Sequence, residues 1–197
     1  MEDIVLNKVP DLFGICCYLT ELTENDTDFI IGLRTNQNLN ALSGKSLSPE
    51  EHLSWLKKYY QKDNDFYWVV REIKSNERIG TAALFDIDNR SRKAESGRTI
   101  ILDDYRFLAF DVFFTRMKFA FDNLNLNKVY AKVRLSEQKI INYDKKLGYK
   151  VDGILREDWW DGEKFIDFYL ISMLKSEFNK YRLDLYPKYL EILKSFS

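Results

Sequence analysis

The chain has 197 residues, 45% of them hydrophobic and 31% charged, with eight glycines and three prolines. That composition excludes a disordered, collagen-like or linker-rich protein, and one compact core is the expectation at this length. Thirty basic side chains stand against thirty-one acidic ones, so no global excess of positive charge is available to grip a nucleic acid. No window holds the ~18 uninterrupted apolar residues of a membrane-spanning helix, and residues 1–10 lack the regions of a signal peptide. A cytoplasmic protein with no membrane partner is expected.

Gly14 to Leu19 is an apolar run suited to a first strand, and it carries the only cysteines, Cys16 and Cys17. A disulfide between neighbours is strained, so a buried, reduced pair is expected. The sole histidine, His52, argues against triads that need one and against multi-His centres, and no metal is expected. Thr23-Glu24-Asn25-Asp26 supplies capping chemistry for a helix whose Phe29, Ile30 and Leu33 share a face. Ser48-Pro49-Glu50-Glu51 is a stronger start: Ser at the N-cap, Pro at the first helical position and Glu three residues after the cap.

Phe66 to Ile73 and Ile79 to Ile87 are strand-like runs joined by a polar hairpin connection, and Ala94 to Leu102 is a further strand. The period changes after it, with Phe110, Phe113, Phe114, Met117, Phe121 and Leu124 at three- and four-residue steps forming an aromatic stripe against a sheet. Val129 to Val133 is a short buried strand, Ser136 caps a helix running to about Leu147, and Gly148 ends it. A helical crossover between 94–102 and 129–134 predicts that these two strands run parallel. Tyr149 to Trp160 and Phe165 to Leu174 flank Asp161-Gly162, a hairpin signal. The order β, α, α, β, β, β, α, β, α, β, β predicts an α/β sandwich with a mixed sheet. The domain is placed at 1–175, and 176–197 is an amphipathic extension docked on the domain or, as a homodimer, on a second subunit.

Several strings in this order resemble the GCN5-related N-acetyltransferase (GNAT) superfamily over about residues 15–175. They are Ala94-Glu95-Ser96-Gly97, the run Ala120 to Val129, Lys146-Leu147-Gly148-Tyr149, and Gly153-Ile154-Leu155-Arg156-Glu157 followed by Asp161-Gly162 and Asp167. The resemblance implies acetyl transfer from acetyl-CoA to an amine without a covalent enzyme intermediate. It further implies that the family's fourth and fifth strands, here 94–102 and 129–134, splay around the pantetheine arm, which pairs with backbone at about Ile100 to Asp103. The CoA pyrophosphate would rest on amides at the start of the next helix, sound anion chemistry for a helix N-terminus. Cofactor contacts are thereby expected at Ile101, Leu102, Asp103, Arg106, Phe107, Leu108, Ala109 and Phe110. The usual loop has Gln or Arg, two residues, Gly, one residue, then Gly or Ala; here Asp104, Phe107 and Ala109 stand there, so only Ala109 conforms. Phe107 adds bulk where glycine lets backbone approach phosphate, Asp104 adds negative charge, and Arg106 is the candidate compensating cation.

By the same resemblance Glu95 is the candidate base and Tyr143 the candidate acid, although the family's tyrosine position falls on Asp144. Successive helical residues point ~100° apart, so only one of the two faces the cleft. Arg34-Thr35-Asn36, Ser48 and the C-terminal extension resemble acetyltransferases of amino-sugar nucleotides, which makes Arg34, Asn36 and Trp159 candidate acceptor contacts. That acceptor predicts a cleft walled by basic and aromatic groups. A protein N-terminal, ribosomal-protein-type acetyltransferase predicts an open, acidic one, and Asp158, Asp161 and Asp167 suit a cationic peptide or aminoglycoside, which keeps a polyamine-like acceptor among the alternatives. A non-catalytic relative that lost tight CoA binding is the remaining alternative, favoured by Asp104 and Phe107.

Overall fold

The computed structural model describes residues 9–36, 48–184 and 186–195, with the side chains of Thr35 and Asn36 outside that description. Among the described residues eight strands form one sheet: β1 (Leu12–Phe13), β2 (Cys17–Glu21), β3 (Phe66–Glu72), β4 (Arg78–Asp88), β5 (Lys93–Ile101), β6 (Lys128–Arg134), β7 (Lys150–Trp160) and β8 (Phe165–Leu174). Their spatial order is β1-β2-β3-β4-β5-β6-β8-β7. Neighbours run antiparallel except β5 and β6, the pair joined by the helical crossover. The α-helices among the described residues are α1 (Thr27–Asn36), α2 (Pro49–Tyr59), α3 (Ala109–Lys118, ending in a wide turn over Phe119–Asn123), α4 (Gln138–Lys146), α5 (Lys175–Asp184) and α6 (Tyr186–Lys194).

Alternation along the strands divides the core between the two faces of the sheet. On one face Leu22, Ile30, Leu56, Tyr59, Tyr67, Val69 and Ala83 pack beneath α1 and α2. The other face buries Phe66, Trp68, Val70 and Ala94 against α3, Ile141 of α4, Phe178 of α5 and Leu193 of α6. The aromatic stripe of α3 lies in that second core, with Phe110, Phe113, Phe114, Met117 and Phe121 all buried.

Three boundaries differ from the sequence expectation. Residues 14–16 turn instead of extending, and Gly14 N–H donates to the Cys17 carbonyl at 2.9 Å. The cause is Asp111 of α3, whose buried carboxylate accepts the backbone N–H groups of Ile15, Cys16 and Cys17 at 2.8–3.1 Å and the Cys17 thiol at 3.2 Å. A side chain at Gly14 would place its Cβ 2.6 Å from that carboxylate, so this close approach requires glycine. Both cysteines are buried and free.

The second difference is at α4, which starts at Gln138 behind Glu137 and not behind Ser136. A turn from the Glu137 N–H to the Arg134 carbonyl, 3.0 Å, takes up the chain there. Gly148 does end α4, at φ +96°. Third, the C-terminal extension forms two helices that dock on the same chain: Tyr186 stacks on Phe114 and Tyr189 on Phe110, with ring centroids 3.9 and 3.8 Å apart.

Candidate active site

The sheet opens at its one parallel seam. Pairing between β5 and β6 covers Lys93 with Lys128, Ala94 with Val129 and Glu95 with Tyr130, and then stops. Beyond Glu95, β5 continues to Ile101 with partners only on β4, while β6 turns its whole length to β8. The β6-facing backbone edge of residues 97–101 is therefore left without a strand partner. Two residues of β5, Arg98 and Thr99, lie opposite the single Ala82 of β4, a bulge that bends β5. Arg98 sits in it at φ +48°, and its carbonyl accepts the Thr81 hydroxyl at 2.8 Å.

Glu95 stands at the point of divergence, on the α1/α2 face. Burial raises its proton affinity, helped by Asp86 and Asp158 and opposed by Lys132 and Arg98. The Tyr130 hydroxyl is hydrogen-bonded to Glu95; burial first, then the Glu95 charge, push the phenol up to about 12. On the same face Lys132 pairs with Asp158 at 2.8 Å, and the Arg134 guanidinium covers the Trp159 ring at 4.8 Å. A groove of about 550 Å³ runs past Asp158, lined by Ile154, Leu155, Arg156, Glu157, Asp158 and Asp167. Its shape comes from a bulge in β7 where Glu157, at φ +53°, donates its N–H to Asp167 at 2.7 Å.

The opposite face of the seam is floored by Arg116 of α3. It is buried, donates to the Thr99 hydroxyl at 2.5 Å, and has an Nε without a hydrogen-bond partner. The Tyr149 hydroxyl bonds to Ser96 and Arg116, and Asp144 of α4 lies within reach of the Arg116 charge. Burial raises the Asp144 carboxyl to about 6, against the pull of Arg116. Tyr143 points elsewhere, toward Tyr189 and Tyr181 of the C-terminal helices, and is 42% exposed. Asp144, and not Tyr143, thus faces the Arg116 floor.

The loop expected to carry the pyrophosphate is a six-residue 3₁₀ helix over Asp103–Leu108 leading into α3. Arg106, its only basic residue, pairs with Asp103 at 2.7 Å on the surface. The Leu102 N–H donates to the Ile79 carbonyl and the Tyr105 N–H to the Leu102 carbonyl, at 2.8 and 2.9 Å. The Ala109 N–H closes on the Arg106 carbonyl. The Leu108 and Phe110 side chains are in the core, and Phe107 is 42% exposed. Ile101 ends β5 at the open edge, partly buried against the α3-side core.

Arg34 lies beside His52, where burial and then the Arg34 charge lower the proton affinity of the imidazole. Neither is brought to Glu95 by any contact among the described residues, and the side chain of Asn36 lies outside them. Sequence reasoning passed over Tyr130, although the alternation Val129, Ala131, Val133 already sets Tyr130 and Lys132 on the opposite face. It passed over Arg116 and the Asp65–Arg98 pair, for which only long-range packing gives a signal.

Residues 17–150 match the family model described as an acetyltransferase (GNAT) domain. The chain belongs to the GNAT family. Its match places it among the N-acetyltransferases. It is 23% identical over 163 residues to the uncharacterized N-acetyltransferase YoaA of Bacillus subtilis, covering 80% of this chain and 92% of that protein. It is 26% identical over 165 residues to the spermidine N(1)-acetyltransferase of Vibrio cholerae, covering 81% and 94%. A crystal structure of spermidine N-acetyltransferase from Vibrio cholerae in complex with CoA and spermine has the same fold, with a TM-score of 0.73 at 23% identity over 82% of this chain and 97% of that one.

Proposed function

We propose that this N-acetyltransferase acetylates a primary amine of a small, positively charged aliphatic metabolite of the polyamine class. One observation carries the reading: Glu95, half-buried at the seam with its proton affinity raised, lies within electrostatic reach of Asp158, which lines a groove whose other polar residues are Glu157, Asp167 and one arginine. Carboxylates in that number favour a cationic acceptor over an anionic one. The name of the Vibrio cholerae relative, a spermidine acetyltransferase, supports the same class. An amino-sugar nucleotide would call for cations and an open aromatic face, yet Trp159 is capped by Arg134 and Arg34 sits with His52.

The donor site is assigned to the unpaired edge of β5 at residues 97–101, which offers backbone donors and acceptors to the amides of a pantetheine arm. Bound there, acetyl-CoA supplies an acetyl group activated as a thioester. At the phosphate end Arg106 is the residue to meet the diphosphate, and Asp103 must release it first. Glu95 takes the proton that the amine gives up, with Tyr130 holding the carboxylate by its hydroxyl. Burial suits Glu95 to this work, because a carboxylate of raised proton affinity is the stronger base.

Thiol release from acetyl-CoA, measured with spermidine, an amino-sugar nucleotide and a peptide with a free N-terminus, tests the acceptor. Spermidine is expected to give a kcat/KM at least about 100-fold above the other two, as a differential of roughly 3 kcal/mol requires. A preference for the sugar nucleotide overturns the proposal. A preference for the peptide replaces it with the N-terminal acetyltransferase reading, which the same open, acidic groove would accommodate.

A further inference from the structure

The bulge that parts β5 from β6 is held from outside the seam. Arg98, at its centre, reaches across the α1/α2 face and makes a two-pronged ion pair with Asp65, NH1 to Oδ1 at 2.7 Å and NH2 to Oδ2 at 3.0 Å. Asp65 is 5% exposed and stands in the α2–β3 connection, with Lys62 at 3.9 Å as its outer neighbour. The guanidinium also lies over Phe85 at 4.3 Å, Tyr67 at 5.3 Å and Trp55 at 5.8 Å. An arginine at φ +48° occupies a backbone region that non-glycine residues seldom adopt, so the surroundings must hold it there. The two parallel N–H···O bonds, the aromatic faces and the Thr81–Arg98 carbonyl bond supply that hold.

We propose that Arg98, locked by Asp65, is a positioning residue that keeps β5 bent away from β6 and so holds the donor seam open. The side chain touches no reacting group; it acts through the backbone of residues 97–101. It ties the donor edge to Trp55 of α2 and Tyr67 of β3. A second effect follows from place: Arg98 is on the face of Glu95, and its positive charge lowers the proton affinity of that carboxylate. The inference depends on family membership and not on which amine is accepted.

The test uses the full-length protein with free CoA, so that turnover is not needed. Calorimetric titration with CoA is run on Arg98→Met, Arg98→Lys, Asp65→Asn and the double variant Arg98→Met/Asp65→Asn. Amide hydrogen exchange at residues 97–101 is followed without ligand, and thermal melting reports folding. Each single neutral variant is expected to weaken CoA at least about tenfold and to change exchange at residues 97–101, while Arg98→Lys keeps part of the affinity. The double variant is expected to be no worse than either single one, because both remove the same pair. In the acetyl-transfer assay the acid limb of Arg98→Met moves to higher pH, a shift that a loss of stability alone does not produce. CoA affinity within twofold of wild type in folded Asp65→Asn and Arg98→Lys overturns the proposal, as does strict additivity in the double variant.

Discussion

Asp144 shows how much a single burial decides at this site. Its carboxyl titrates near 6 because desolvation outweighs the attraction of Arg116. The folded chain therefore binds that proton more tightly than the unfolded chain does, and stability falls as pH rises from about 4 to about 6. Asp144→Asn is expected to remove about 2 kcal/mol of that fall, read as the difference between wild-type and variant urea midpoints across the window. Parallel midpoints from pH 4 to 7 would show that the carboxyl is not desolvated. Asp111 is the opposite case, a buried carboxylate matched by three backbone N–H groups and a thiol. Asp111→Ala leaves those donors unmatched and is expected to cost about 3 kcal/mol or more, measured by chemical denaturation; a loss below about 1 kcal/mol would contradict the cage.

At the scale of elements, the Gly14 turn is the tightest constraint on how β2 meets α3. Gly14→Ala forces a methyl group to within 2.6 Å of the Asp111 carboxylate, and a loss of about 1–3 kcal/mol is expected on denaturation. An unchanged midpoint would mean that the turn relaxes freely. Periodicity made the longer elements legible: the Ser48 capping box, the α3 stripe, the parallel pair and the β7–β8 hairpin are local patterns with local causes. The Gly14 turn was not legible, because its cause lies 94–96 residues away in Asp111. Of the site, Glu95 could be singled out through the resemblance of its strand. The Asp65–Arg98 pair and the Arg116 floor join residues 33 and 17 positions apart by packing that no spacing rule encodes. Tyr143 and Asp144 illustrate the limit sharply, since a one-residue shift on a helix selects a different face and only the neighbours of α4 decide it.

For the whole molecule, the C-terminal helices close the α3-side core. Tyr186 and Tyr189 of α6 cover Phe114 and Phe110, Leu193 is buried, and the Leu193 carbonyl accepts the Cys16 thiol at 3.3 Å. Ending the chain at Asp184 removes two aromatic stacks and one buried leucine, an expected loss of about 3–5 kcal/mol. A melting temperature unchanged by that truncation would show that α6 contributes nothing to the fold. The remaining architecture serves one arrangement: a sheet split at its parallel seam, an open backbone edge on β5, and Glu95 where the split begins. The most direct test is the pH dependence of kcat for acetyl transfer to spermidine, compared between wild type and Glu95→Gln. Wild type is expected to show activity rising through a limb above the ordinary glutamate range, since the proposed base, Glu95, would act only when deprotonated and burial raises its proton affinity. Glu95→Gln is expected to lose that limb and to fall about 100-fold or more at neutral pH while still binding CoA. A variant profile that overlays the wild type would contradict the assignment of the seam as the catalytic centre.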